Sequence, residues 1–218
     1  MAIIVHKYGG SSLADPSALH GVAQAIVSNV EQGHQMVVVV SAMGGATDDL
    51  VALAGQVTRG EHRREMDMLL STGERVTMAL LSMAIRDRGC EAISFTGSQC
   101  GIITDECHAD ARIVEVRPYR VEKELAAGRV VIVAGFQGMS RKREITTLGR
   151  GGSDTTALAL AAALDASRCV IFSDVDGVLS ADPRTVQEAH LIDRLAHGEL
   201  EALARAGAGV LNADAVAW

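Results

Sequence analysis

A chain of 218 residues with 20 Lys and Arg against 27 Asp and Glu carries a net charge of -7, and it is 48% hydrophobic but only 3% aromatic. That length suits one domain with a sizeable core, built here from Val, Leu, Ile and Ala rather than from rings. The acidic balance argues against nucleic acid, whose phosphates need a basic face, and the longest apolar runs, 36–40 and 157–164, are too short to cross a membrane.

No signal peptide precedes Lys7, so a cytoplasmic location is expected. Cys90, Cys100, Cys107 and Cys169 show no paired metal spacing and read as reduced thiols. Cys107-His108 is the one candidate ligand pair, and no metal is expected there. In chain order, the pattern predicts a strand at 3–7, then a helix at 16–30 opened by Asp15-Pro16. A strand at 37–41 follows, then helices at 48–57 and 64–86, the second interrupted by Ser71-Thr-Gly73. Next come a strand at 92–95, a helix at 119–126, a strand at 130–134, a helix at 154–164, a strand at 169–173 and a helix at 198–206. Such alternation implies a mainly parallel sheet covered on both faces. Short strand-like pieces within 101–116 and 138–147 predict a hairpin lid, with Arg141-Lys-Arg143 as its solvated tip. There is no repeat, no low-complexity segment and no linker.

Two turns carry the chemistry. In Thr147-Leu-Gly-Arg-Gly-Gly-Ser-Asp-Thr-Thr-Ala157 a charged, glycine-rich turn precedes an apolar helix, which is how a helix N-terminus presents amides to an anion. Gly149, Gly151 and Gly152 let the backbone approach a ligand, Ser153 or Asp154 is expected to cap the helix, and Arg150 adds a fork suited to a carboxylate or phosphate. Taken alone, the segment fits an ordinary capped helix after a tight turn better than a ligand site. The second turn follows the first strand, where Lys7 stands at the carboxyl end, the place at which α/β sheets meet their ligands. This is not a P-loop, because the lysine precedes the glycines. A lysine at a strand end is ordinarily solvated, but Lys7, Lys123 and Lys142 are the chain's only lysines and 17 of the 20 basic residues are arginine. A compact ammonium retained there suggests a function.

Seven segments stand in order: Lys7-Tyr-Gly-Gly-Ser-Ser12, Val37-Val-Val-Val-Ser-Ala-Met43, Arg64-Glu-Met-Asp-Met-Leu-Leu-Ser-Thr-Gly-Glu-Arg75, Ser94-Phe-Thr-Gly-Ser-Gln99, Ile132-Val-Ala-Gly-Phe-Gln-Gly138, Thr146-Thr-Leu-Gly-Arg-Gly-Gly-Ser-Asp-Thr-Thr156, and Ser173-Asp-Val-Asp-Gly-Val178 with Asp182-Pro-Arg184. Any one is weak. Together they resemble the aspartate kinase catalytic domain of the amino-acid kinase superfamily, over essentially the whole chain.

The resemblance implies a three-layer αβα sandwich with a mainly parallel central sheet. It also implies transfer of the γ-phosphoryl of ATP, with Mg2+, to the side-chain carboxylate of L-aspartate or a close analogue. Such a reaction needs positive charge on the moving group and fixed placement of two substrates. By the resemblance, Lys7 contacts the transferring phosphoryl, Asp154 orients that lysine, and Tyr8 with the amides of Gly9 and Gly10 lies at the phosphates. Glu74 receives the substrate ammonium and Arg150 its carboxylate, while Ser41, Thr47, Gly151, Gly152 and Ser153 close the acceptor side. Ser173, Asp174, Leu179, Ser180, Asp182, Pro183, Arg184 and Gly209 line the nucleotide, with Arg184 reaching the polyphosphate.

The departures from that family are local. Aspartate kinases typically carry a second lysine in a Gly-x-Lys-Val/Ile-Leu segment near the nucleotide, where this chain has Gly207-Ala-Gly209-Val-Leu211. Leu179 replaces a tyrosine after the Asp-Val-x-Gly turn. The family's kinase domain also continues by about one αβ unit, with ACT regulatory domains beyond. The expectation is thus one domain over 1–218, cut before the family's last strand, without an ACT domain, and completed as a homodimer or hetero-oligomer. Two functions follow: a working kinase, or a catalytically weak or inactive amino-acid- or nucleotide-binding partner subunit. Lys7, Glu74, Arg150 and Asp154 favour the first. A competing motif, Val170-Ile-Phe-Ser-Asp-Val-Asp-Gly177, looks like the opening of haloacid-dehalogenase phosphatases, but the 44 residues after Asp174 contain no lysine for that chemistry.

Overall fold

A computed structural model describes residues 1–175, 177–182, 185–208, 211 and 213–218. Three of the expected nucleotide residues, Pro183, Arg184 and Gly209, lie outside the described residues. The chain opens with β1 (Ile3–Tyr8), a 3-10 turn at Ser11–Leu13, α1 (Pro16–Glu31), β2 (Gln35–Val40), α2 (Ala46–Val57), α3 (Arg63–Arg86) and β3 (Ala92–Phe95). It continues through β4 (Ile102–Thr104), β5 (Ile113–Val116), α4 (Tyr119–Ala126), β6 (Val130–Ala134), β7 (Gln137–Ser140), β8 (Ile145–Thr147), α5 (Gly152–Ala163), β9 (Arg168–Phe172), α6 (His197–Arg205) and α7 (Ala213–Val216). The helices and strands expected from the sequence are all present with ends shifted by no more than two residues, and α7 is an addition.

The main sheet has the order β3-β6-β2-β1-β9 and every pairing in it is parallel. Its central strands are runs of buried aliphatic residues because both faces are covered. Alternation sends Ile4, Met36, Val38 and Ile132 to the side of α1 and α3, where Leu19, Ile26, Leu81 and Ile85 meet them. Val5, Val37, Val39, Val131 and Val133 go to the other side, against Val121, Leu125 and Leu160 of α4 and α5. The result is a three-layer αβα sandwich. Each fully buried Val contributes on the order of 1.5–3 kcal/mol relative to exposure. Lys7, in phase with Val5, emerges on the α5 side at the end of its strand.

Three expectations need correction. First, the two strand-like pieces do not form a separate hairpin lid. They join in a second sheet of order β5-β4-β7-β8, with β4 and β7 parallel at its centre. Gly138 allows this approach, since a Cβ there would meet Thr104 Cγ2 at 2.7 Å. The tip at residues 141–143 is exposed as expected, and Lys142 pairs with Glu106 at 2.6 Å. Second, α3 is not interrupted. The hydroxyls of Ser71 and Thr72 donate back to the carbonyls of Met68 and Leu69, and Gly73 is buried where a Cβ would come within 2.9 Å of Ala42 Cβ. By length and composition alone α3 could cross a membrane, but Leu81, Ala84 and Ile85 pack in the core against the sheet, and Asp67 and Glu74 are buried within the fold. Third, neither Ser153 nor Asp154 caps α5. Gly151, at φ 75°, is the N-cap and starts the helix earlier, so both residues sit in its first turn with their side chains engaged elsewhere. At α1 the expected cap holds, Asp15 accepting from the Ala18 amide at 2.9 Å.

Candidate active site

A cleft of about 1000 Å³ opens off the carboxyl ends of β1 and β2, between the turn that starts α5 and the middle of α3. It is lined by Lys7, Gly10, Ser41, Thr47, Glu74, Arg150, Gly151, Gly152, Ser153 and Asp154. With Gly149, which also lines it, eleven of the residues singled out from the sequence share one cavity, at the end of the sheet where α/β folds bind ligands.

Each is placed by a local cause. Lys7 points toward α5 through strand alternation and meets Asp154 of its first turn, Nζ to Oδ1 at 2.8 Å, with the two side chains only 11% and 17% exposed. Ser41 follows β2 and donates to Ser153 Oγ at 3.1 Å. Gly135 leaves room for that contact, since a Cβ on it would lie 2.9 Å from Ser153 Oγ. Gly149 and Gly151 both have positive φ, 71° and 75°, and between them they turn the chain so that Arg150 stands at the cleft. The start of α5 carries no side-chain cap and borders the cleft, which suits an anion.

Glu74 is a buried carboxylate on the α3 side of the cleft. It is 3% exposed, and desolvation by burial pushes its pKa up to about 7, offset in part by hydrogen bonds from backbone amides. Oε1 accepts from the Ala42 amide at 3.2 Å, a contact that needs Gly73 at the crossing of α3 with the β2–α2 loop. Oε2 is buried without a hydrogen-bond partner among the described residues. A buried, unpartnered carboxylate oxygen is costly and calls for a cationic donor.

Of the expected nucleotide residues, Lys7 and Gly10 line this cleft, and the others among the described residues do not. Tyr8 is buried and stacks on Phe172, centroids 4.5 Å apart, while Gly9 lies beside the Phe172 carbonyl. Ser173 and Asp174 are exposed and bonded to each other, Ser173 Oγ donating at 3.1 Å. Leu179 forms an isolated bridge with Leu191, Ser180 exchanges hydrogen bonds with His190, and Asp182 is exposed. This segment leaves the sheet from β9, next to the end of β1 that bears Lys7.

Sequence reasoning missed other lining residues: Gly44, Asp48, Ala109, Asp110 and Phe136. Phe136, at φ 66°, is a non-glycine residue in the left-handed region beside the cleft, an arrangement that the sequence does not announce. Asp67, one turn-pair before Glu74, is buried behind the cleft and bonded to His108 and Thr147. A carboxylate inside an apolar helical stripe was the available signal for it. His108 of the Cys107-His108 pair is used in this contact.

The model of the amino acid kinase family matches residues 2–218. The chain is 54% identical over 212 residues to the aspartokinase of Mycobacterium tuberculosis, covering 97% of this chain and 50% of that protein. It is 50% identical over 216 residues to aspartokinase 2 of Bacillus subtilis, covering 99% and 53%. The chain thus spans about half the length of the curated relatives it matches. Among solved structures, aspartate kinase from Synechocystis superposes with a TM-score of 0.85 at 50% identity, covering 99% of this chain and 36% of that one. E. coli aspartokinase III in complex with aspartate and ADP gives a TM-score of 0.86 at 28% identity, covering 98% and 58%.

Proposed function

The chain belongs to the amino acid kinase family, and from that premise we propose that it transfers the γ-phosphoryl group of ATP to the side-chain carboxylate of L-aspartate or a close analogue, giving an acyl phosphate and ADP. The observation that carries this reading is the bare Oε2 of Glu74 in the same cleft as Lys7 and Arg150. An amino-acid ammonium supplies the donor that oxygen lacks. Similarity to aspartokinases and to a structure holding aspartate and ADP supports the choice of substrates.

In this reading Glu74 binds the α-ammonium and Arg150 the α-carboxylate, a two-point hold that directs the remaining carboxylate toward Lys7. Ser41, Thr47 and the residues 151–153 close the acceptor side. A side-chain carboxylate oxygen attacks the γ-phosphorus. A P–O bond forms as the bond to the β,γ-bridging oxygen breaks, and the electron pair leaves with ADP. The nucleophile is already an anion, so no general base is needed. Lys7 neutralises charge on the moving group, and Asp154 fixes the lysine in place before reaction, so little reorganisation is required. Tyr8, Gly9, Gly10 and the segment from Ser173 are assigned to the nucleotide, entering from the β9 side. Mg2+ belongs to the proposal only as the counter-ion of ATP: among the described residues no group of three His, Cys, Asp or Glu could hold a metal, and no residue is assigned to it.

Need for ATP makes the cytoplasm the expected location. Association with a second copy or a partner chain belongs to the same proposal, supported by exposed Leu53, Val57, Val76 and Met83 on α2 and α3. Gly209, the ground for a non-catalytic partner subunit, lies outside the described residues, whereas the formed Lys7–Asp154 pair supports catalysis. The test is to incubate the protein with ATP and a panel of amino acids in hydroxylamine, which converts an acyl phosphate to a hydroxamate. Hydroxamate with aspartate supports the proposal; none with any dicarboxylic amino acid sinks it.

A further inference from the structure

Asp67 precedes Glu74 by seven residues on α3, so the two lie on the same helical face. Its side chain is fully buried and does not line the cleft. A carboxylate in that setting is sustained by hydrogen bonds, and these come from two other segments. His108 Nδ1 lies 2.6 Å from Oδ2, the Ala109 amide donates to Oδ1 at 3.0 Å, and the Thr147 hydroxyl donates to Oδ1 at 2.5 Å. Ala109 is held at φ 70°, a left-handed conformation that a non-glycine residue keeps only when its surroundings impose it. The same two segments are tied again by the Ala111 amide, which donates to the Thr147 carbonyl at 2.9 Å. Ala109 and Asp110 form one wall of the cleft, and Thr147 leads directly into the turn bearing Arg150. Asp110 packs so closely on that turn that a Cβ on Gly149 would lie 2.7 Å from its Oδ1.

We propose that Asp67 is a positioning residue that fixes the acceptor pocket, holding the 105–112 loop and the Arg150 turn in register with the helix that carries Glu74. It touches no substrate and acts through His108, Ala109 and Thr147. Resting on the reading of the cleft as an amino-acid acceptor site, this role belongs to acceptor affinity and not to ATP.

The test compares Asp67→Ala with Asp67→Asn in the full protein. Asp67→Ala is expected to raise KM for aspartate roughly 10- to 100-fold, the scale at which misplacement of a binding group acts. KM for ATP should stay within about twofold, as for an uncoupled site. Asp67→Asn keeps an oxygen for Ala109 and Thr147 and should recover most of the acceptor affinity. Amide hydrogen exchange should quicken at 109–111 and 148–152 in Asp67→Ala, with 37–40 unchanged. Should Asp67→Ala not fold, His108→Ala, whose ring is part-exposed, carries the same expectations at smaller amplitude. An equal rise in both KM values, an Asn variant no better than Ala, or unchanged exchange at 109–111 and 148–152 would overturn the positioning role. If the wild-type protein shows no aspartate-dependent turnover, the acceptor reading fails, and the exchange measurement decides separately whether Asp67 clamps the two segments.

Discussion

The ammonium of Lys7 lies 2.8 Å from Oδ1 of Asp154, joining the carboxyl end of the first strand to the first turn of α5. The pair exists because two regularities coincide: strand alternation turns Lys7 to the α5 side, and the left-handed Gly151 starts α5 early enough to put Asp154 in its first turn. It fixes an ammonium beside the start of a helix, in the cleft that Arg150 also lines.

Lys7→Met should abolish phosphoryl transfer while sparing acceptor binding, since Glu74 and Arg150 remain. Preorganised donors of this kind are worth about 2.7–4 kcal/mol, or roughly 100- to 1,000-fold in rate. Steady-state kinetics with calorimetry of aspartate separates the two effects; a variant that loses both equally would assign Lys7 to structure.

The raised pKa of Glu74 sets two opposed pH dependences. The acceptor ammonium needs the carboxylate, so aspartate affinity should weaken by up to roughly tenfold per pH unit below 7. Stability runs the other way. Below pH 4.5 both folded and unfolded forms are protonated; between there and about 7 the folded form holds a proton that the unfolded form has lost, so rising pH destabilises the free protein. Above 7 the penalty is on the order of 3 kcal/mol, the cost of ionising a buried carboxyl that titrates at about 7 in place of 4.5. Glu74→Gln should therefore melt higher than wild type at pH 8, match it near pH 4, and bind aspartate poorly throughout. Melting curves that do not separate at pH 8 would remove the buried-carboxylate explanation.

Gly73→Ala tests why α3 carries a glycine in mid-helix. The substitution gains roughly 1 kcal/mol in helix propensity, yet its Cβ would sit 2.9 Å from Ala42 Cβ, and overpacking of that kind costs about 1–3 kcal/mol. The expected outcome is a neutral to lower melting temperature with a clear rise in KM for aspartate, because the Glu74 to Ala42 hydrogen bond is pushed apart. A more stable variant with unchanged KM would contradict the close crossing.

How far the sequence announced this arrangement depends on the range of the interaction. Residues such as Asp15-Pro16 and the aliphatic run before Ser41 carry local signals, and the elements they predict are present. Lys7, Glu74, Arg150 and Asp154 were legible through their motifs, and the fold brings them together. What stayed hidden was set by contacts between distant segments: the pairing of β4 with β7 that turns an expected lid into a sheet, the strained Phe136, and the convergence of His108 and Thr147 on Asp67. The capping expectation failed for a related reason. Ser153 and Asp154 are suitable caps by type, but Ser41 and Lys7 claim their side chains.

Gly209→Lys addresses the departure at the position where aspartate kinases typically carry a second lysine. If the wild-type protein works with Lys7 alone, restoring an ammonium there should raise kcat, by up to about 100-fold on the scale of a single preorganised donor. Unchanged or lower turnover in a folded variant would show that Gly209 is not a catalytic loss, and Arg184 then becomes the next position to test.

The most direct measurement is ADP release from ATP as a function of aspartate concentration, run side by side on the wild-type protein and Lys7→Met. Saturable, aspartate-dependent ADP release in the wild type, lost in the variant while calorimetry still detects aspartate binding, is the expected result. ADP release that ignores aspartate, or that persists undiminished without the Lys7 ammonium, would contradict the assignment of this cleft as a carboxylate phosphorylation site.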